Sequence, residues 1–385
     1  MPVFRLSWTD PRVRNMVWQV LILGTIAVLF WTLIGNVRSN LDRRHIATGF
    51  GFLSQAAHFQ IGETLLSYDS ITSTFARALL IGIVNTLKVA VVGIVLATIL
   101  GTLIGIFQLS RNALLAKICA VYVEVMRDIP VLLHLLIWKA LISGLPGVRQ
   151  SVQVGSAYLS NRGIAFPVMA ASPAWFVAIV GFAIGAAGTW LWTRAMRSRR
   201  ERTGAAFPVW PVALLLMIGL PLLAWAASGA PVVIDRPEMK GFNFQGGWLL
   251  SPGYVAVTLG LVLYTAAYIA EVVRSGLLAV SGGQSEAAAA LGLSRGQTIR
   301  LIVLPQALRV IIPPMTSEYL NLTKNSSLAA AVGYPDIVSI AGSINTISGQ
   351  AIETITIIMA VYLTISLSIS ALMSVYERRI RLVER

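Results

Sequence analysis

Long apolar runs separated by short polar ones dominate the chain, and their lengths predict its elements. About 20 apolar residues cross the hydrocarbon core of a bilayer as a helix. Runs of that order fall at 16–37, 77–107, 118–142, 173–193, 208–228, 252–275, 308–331 and 352–375. Hydropathy undervalues the seventh, which holds Pro313, Pro314, Glu318, Lys324 and Asn325. Eight spans put both termini on one side. Residues 38–76, 146–172 and 229–251 then read as loops on the far side, the first mixed polar and aromatic with room for short interfacial helices. The run RAMRSRRERTG at 194–204 is a hairpin on the near side. The two spans it joins hold little but apolar residues, Gly and Trp, so they read as a lipid-facing insertion at about 173–228. Spans two, three, six, seven and eight carry the polar groups and form the working core. Gly101 with Gly105, and Gly181 with Gly185, have the spacing of close helix packing.

One interval, about 280–306, breaks this rhythm. Ala287, Ala288, Ala289 and Ala290 favour helix, and Glu286 suits the positive end of the helix dipole. Gly292 supplies the left-handed residue that stops a helix after about two turns. Ser294 and Gln297 have capping-box spacing, so a second short helix starts there and runs toward Leu304, before Pro305. Two short helices at a fixed angle make a knob, a shape that carries rigid-body motion across a subunit boundary.

Composition sharpens the class. Of 385 residues, 56% are hydrophobic and 12% charged, against about 25% charged in soluble domains, so the chain is an integral membrane protein. The net charge of +14 does not make a nucleic-acid surface, because the arginines lie mostly in short loops without aromatic interleaving. With both termini inside, Lys and Arg number 18 inside and 8 outside, which by the positive-inside rule places the 280–306 knob in the cytoplasm. The first span follows Arg5, Arg12 and Arg14 like a secretion signal, but its apolar run is too long and GNVRSNLD lacks a small-x-small cleavage pattern, so it reads as an uncleaved anchor. Cys119 is the sole cysteine, and His45, His58 and His134 are scattered, so no metal site is expected. There is no Walker A, HExxH or GxSxG sequence and no catalytic constellation, so any energy source comes from another chain.

Ionisable groups inside spans are costly and draw attention to function. Glu124, Arg127 and Asp128 have the i,i+3 and i,i+4 spacing of a local network, and Glu271 with Arg274 that of a brace near the knob. Lys88 sits well inside span two, near Asn85 and Thr86, where snorkelling and a functional role compete evenly. Lys324, Asn325, Ser326 and Ser327, following Asn321, are consecutive polar residues in an apolar setting and point to a cavity or a helix break. A polar cargo crossing the membrane would need such donors and acceptors along its path. Asn85, Thr86, Lys88, Arg127, Asn321, Lys324, Asn325 and Ser326 are therefore the candidate path, and Glu124, Asp128, Glu271 and Arg274 the candidate structural brace.

The segments GIVNTLKVA at 82–90, YVEVMRDIPVLL at 122–133, YIAEVVRSGL at 268–277, GQSEAAAALGLSRGQTIRLIVLPQALR at 283–309 and LTKNSSLAAAVG at 322–333 resemble the permease subunits of binding-protein-dependent ABC amino-acid importers. The inserted spans, GYPDIVSIAG and SGQAIE at 348–353 are similar to the broad-specificity general L-amino-acid permeases of Gram-negative bacteria. Asp128 stands where relatives often have Asn, Gly or Thr, and His134 where many have Gln. The resemblance implies an all-α integral membrane protein of the type I importer fold, in the bacterial inner membrane. Residues 1–76 would hold a cytoplasmic segment, the first helix and an external loop, and 77–385 the permease domain. It implies that Glu286, Ala287, Ala288, Leu291, Gly292, Ser294 and Gln297 couple to an ATPase, with ATP and Mg on that partner and no cofactor here. The implied partners are a second homologous permease, two ATP-binding subunits and a periplasmic amino-acid-binding protein. An ion-coupled secondary amino-acid transporter is the alternative, and it leaves the knob without a purpose. No internal repeat of inverted halves favours it.

Overall fold

The computed structural model describes residues 11–43, 48–170, 172–204, 208–229, 233–241 and 243–380. The first ten residues, with Arg5, and the basic end from 381 lie outside the described residues. The helices, in chain order, are α1 (Pro11–Arg43), α2 (Phe75–Phe107), α3 (Ala113–Asp128), α4 (Val131–Ser143), α5 (Pro173–Thr203), α6 (Trp210–Leu214) and α7 (Leu220–Ala227), followed by α8 (Pro252–Leu278), α9 (Gly282–Ala290), α10 (Arg295–Thr298), α11 (Leu304–Asn325), α12 (Ile337–Ser348) and α13 (Ala351–Ile380). A π turn fuses α6 and α7 into one helix, Trp210–Ala227.

Among the described residues, seven helices are long and apolar enough to cross a bilayer. The expected span at 118–142 is instead two shorter helices, α3 and α4. Its break follows from Pro130, which has no N–H and whose ring pushes Ile129 into extended backbone (φ −89°, ψ 129°). The seventh span departs in the other direction. It runs from Arg295 to Val332, because α10 does not stop before Pro305: a π turn at Ile299–Val303 carries it into α11, which begins just before Pro305.

The chain divides into two compact units, Met1–Leu136 with Val257–Arg385, and Ile137–Ala256. In the first, α2 packs against α8 through Gly101 and Gly105. A Cβ at Gly101 would meet the Ala266 carbonyl at 2.7 Å, and one at Gly105 the Ala270 carbonyl at 2.6 Å. These glycines are the close approach of two backbones within one chain. Gly105→Leu should destabilise the fold by about 1–3 kcal/mol, seen as a lower melting temperature in detergent, while Gly342→Ala, whose Cβ meets nothing within 4 Å, should not. The apolar side chains from Trp18 to Val37 of α1 stay exposed, as do Val91, Val95 and Ile99 of α2 and Met359, Leu363 and Leu367 of α13, which suits a surface whose solvent is lipid.

The segment before α2 is packed rather than loose. Phe52 and Ala57 join Phe75, Ala78 and Ile81 of α2 and Ile337, Ile340 and Ile344 of α12 in one buried cluster, and Phe59 stacks on Phe75. In the second unit, α5 pairs with the α6–α7 helix, and the segments expected as external loops hold small sheets. Strands β1 (Val152–Val154), β2 (Ala157–Ser160) and β3 (Gly163–Phe166) form an antiparallel meander, β4 (Val168–Met169) pairs with β5 (Ile234–Asp235), β6 (Glu238–Lys240) with β7 (Asn243–Gln245), and β8 (Trp248–Leu250) completes the meander beside β3. The alternation in VQV and AYLS is too short to register against the apolar spans, yet Gly155 (φ +62°) supplies the turn between them.

Candidate functional site

The 280–306 interval folds as a knob. α9 ends in a Schellman motif: Leu293 N–H donates to Ala288 O at 3.1 Å and Gly292 N–H to Ala289 O at 2.9 Å, with Gly292 at φ +76°. α10 opens on a full capping box, Ser294 N–H donating to Gln297 Oε1 at 2.9 Å and Gln297 N–H to Ser294 Oγ at 3.4 Å. Ala288 and Thr298 turn inward, and Gln306 Nε2 bonds Gln284 Oε1 across the base. Glu286, Ala287, Gly292 and Gln297 are exposed. Leu291 is 80% and Ile299 58% exposed. Both are large aliphatic side chains left bare on the knob's surface.

The helix feeding this knob lines a polar cavity. Tyr268, Glu271 and Arg274 of α8 face Glu124, Arg127 and Asp128 of α3 and Gln108 at the end of α2 around about 550 Å3. Arg274 lies four residues before the end of α8, and α9 starts at Gly282. Arg274 grips Glu271 bidentately at 2.6 and 3.0 Å, and Ser275 Oγ donates to the same carboxylate. These two residues, expected three apart on one helix face, do meet. The expected network on α3 is absent: among the described residues no ion pair joins Arg127 to Glu124 or Asp128. Arg127 turns instead over the Tyr268 ring, 5.1 Å from its centroid, and Tyr264 Oη bonds Tyr268 Oη at 3.1 Å. Spacing along a helix permits a pair, but a facing aromatic ring competes for a planar guanidinium. Glu318 of α11 lies within reach of both Arg127 and Asn321, and Asn321 and Lys324 are exposed on the same helix.

The other candidate path residues sit elsewhere. Asn85, Thr86 and Ser326 are fully buried. Asn85 Nδ2 donates to the carbonyls of Glu63 and Pro335 at 3.0 and 2.9 Å, Thr86 Oγ1 accepts from Ile337 N–H, and Ser326 Oγ donates to Thr323 O. The Asn85 and Thr86 bonds tie α2 to the segment before it and to the start of α12, while the Ser326 bond stays within its own turn. Lys88 pairs with Glu63 in a buried contact, the two side chains 10% and 11% exposed. Asn325 leads into a 3-10 turn at Ser326–Val332, where the helix tightens without breaking. Four of the eight candidates therefore serve packing in this conformation, because each meets a backbone group or an opposite charge before it meets a cavity.

The family model for the inner membrane component of binding-protein-dependent transport systems matches residues 202–382. Over 384 residues the chain is 46% identical to the general L-amino acid transport system permease protein AapQ of Rhizobium johnstonii, covering 99% of this chain and 96% of that one. The chain is a binding-protein-dependent transport permease. It is also 45% identical to the putative amino-acid ABC transporter permease protein YhdX of Escherichia coli, over 99% of this chain and 97% of that protein. The glutamate/glutamine/aspartate/asparagine transport system permease protein BztB of Rhodobacter capsulatus is 38% identical over the same shares. Sequence reasoning missed Glu63 as the partner of Lys88, Tyr268 in the permease's cavity, and Tyr264 bonded to it. Glu63 lies in a segment read as loop, so nothing marked it. The tyrosines carried a signal, since they are four apart on one helix face.

Proposed function

We propose that this permease is one of two homologous membrane chains in an ATP-driven importer for L-amino acids of several side-chain types, lying in the bacterial inner membrane with both termini and the knob in the cytoplasm. Two ATP-binding subunits would supply ATP and Mg and grip the knob, and a periplasmic amino-acid-binding protein would deliver substrate. The observation that carries this reading is α8, which lines the polar cavity through Tyr268, Glu271 and Arg274 and continues within a few residues into the knob. A displacement of the knob is thereby a displacement of the cavity wall, with the Glu271–Arg274 pair stiffening the joint. In the cavity region, the Arg127 guanidinium suits a carboxylate and the acidic Glu124, Asp128 and Glu318 an ammonium. Arg127, Asn321 and Lys324 remain the path residues, Glu124 and Asp128 join them, and Asn85, Thr86, Lys88 and Ser326 become structural. The relatives' names support the substrate class, and give the ion-coupled alternative no support.

Alternating access then follows from two global states with different affinity for the loaded binding protein. The test is ATP hydrolysis by the co-expressed complex in lipid nanodiscs, with and without binding protein loaded with single amino acids. Stimulation by particular amino acids is the expected result. A folded membrane complex with no associated ATPase sinks the reading.

A further inference from the structure

The second unit ends one of its helices in a run of positive charge outside the cavity and the knob. α5 is 31 residues long, about 46 Å at 1.5 Å per residue, far more than the roughly 30 Å of a hydrocarbon core. Its antiparallel neighbour sets where the membrane stops. Gly181 abuts Leu220, Pro221 and Ala224, and Gly185 abuts Leu216. Each step up α5 is a step back along Trp210–Ala227, so Trp192 comes level with Trp210, and Trp190 lies just below. All three are exposed. Exposed tryptophans at one height are the belt of a membrane interface.

Just beyond that belt α5 continues for another ten residues, carrying Arg194, Arg197, Arg199, Arg200 and Arg202, all exposed. Glu201 is the one acidic residue of the helix, and it meets Arg197 at 3.6 Å with both ends in solvent, leaving a net charge of +4. Arg194 lies over Trp190, 5.5 Å from the ring centroid. At about 100° per residue the five arginines point to every side of the helix. A docked protein sees one side of a helix, whereas headgroups of a lipid annulus surround it. We infer that this end of α5 binds anionic phospholipid headgroups, its arginines reaching phosphates around the helix while Trp190, Trp192 and Trp210 fix the depth.

The full complex would be purified from nanodiscs of phosphatidylethanolamine with phosphatidylglycerol, and the retained lipid measured by mass spectrometry after mild delipidation. The wild type should retain phosphatidylglycerol at about threefold or more over its bulk fraction, with the enrichment lost in 1 M salt. Arg197→Gln, Arg199→Gln, Arg200→Gln and Arg202→Gln together should bring retention to the bulk value, and the four Lys replacements, which keep charge and insertion, should preserve it. Retention that survives salt, or that is equal in the Gln set, overturns the inference. Loss of the ATP-binding subunits from the Gln set with lipid retention unchanged also overturns it, and makes the patch a protein contact. The salt arm uses the unaltered chain, so a Gln set that misinserts leaves the inference testable.

Discussion

Gly292→Asp is expected to leave the permease inserted and its spans folded, and to lower uptake by more than tenfold with ATP-binding subunits no longer responding to loaded binding protein. The fold survives because the site has room: a Cβ at Gly292 meets nothing within 4 Å. The left-handed backbone, φ +76°, costs a non-glycine residue about 1 kcal/mol, and less for Asp or Asn than for most. What the knob does not tolerate is the carboxylate. It appears next to Leu291, a bare aliphatic side chain of the knob that the ATP-binding subunits are proposed to grip. Burying an unpaired charge costs several kcal/mol, and each 1.4 kcal/mol of docking is tenfold. Gly292→Asn has the same shape and no charge, and should keep a substantial share of uptake. Gly292→Val, β-branched at positive φ, should lose it through the backbone. Normal transport in Gly292→Asp at normal expression would remove the coupling role from this loop.

The sequence exposed the turn and caps of the knob but not the far end of its second helix, and the cavity only in part, for a physical reason. A Schellman stop and a capping box are local, made by residues within six positions, so Gly292, Ser294 and Gln297 announce themselves in one dimension. The apolar runs are nearly as local, and all but one marked a helix of the right kind. The exception, 118–142, was a matter of one proline. Partner choice is not local. Nothing near Arg127 in the chain says that it turns to Tyr268, some 140 positions away, rather than to Glu124 or Asp128. Likewise Asn85 and Thr86 meet carbonyl and amide groups of residues beyond 334, which no spacing rule foresees. Polarity inside a span located groups that must be satisfied. Only the packing revealed whether backbone, side chain or cavity satisfies them.

Lys88 puts that distinction to its sharpest test. Asn85 and Lys88 stand three apart on α2, and both reach Glu63: Asn85 holds its carbonyl at 3.0 Å and Lys88 its carboxylate. Together they clamp the 48–74 segment onto the helix, next to the Phe52, Phe59 and Phe75 cluster. Removing one charge of a buried pair costs about 3–5 kcal/mol, because the other is left without compensation. The second oxygen of Glu63 already has no hydrogen-bond partner, so the stranded carboxylate has little to fall back on. Lys88→Met should therefore cut expression and melting temperature sharply and open residues 48–74 to protease. Adding Glu63→Leu should restore most of both, since an apolar pair of similar size often matches a buried ion pair. A substrate contact behaves otherwise. Were Lys88 in the path, Lys88→Met would change which amino acids are taken up while leaving the melting temperature near the wild-type value, and Glu63→Leu would rescue nothing. A clamp predicts recovery of uptake in the double variant with the substrate profile unchanged, because the charges are needed by each other and not by the cargo.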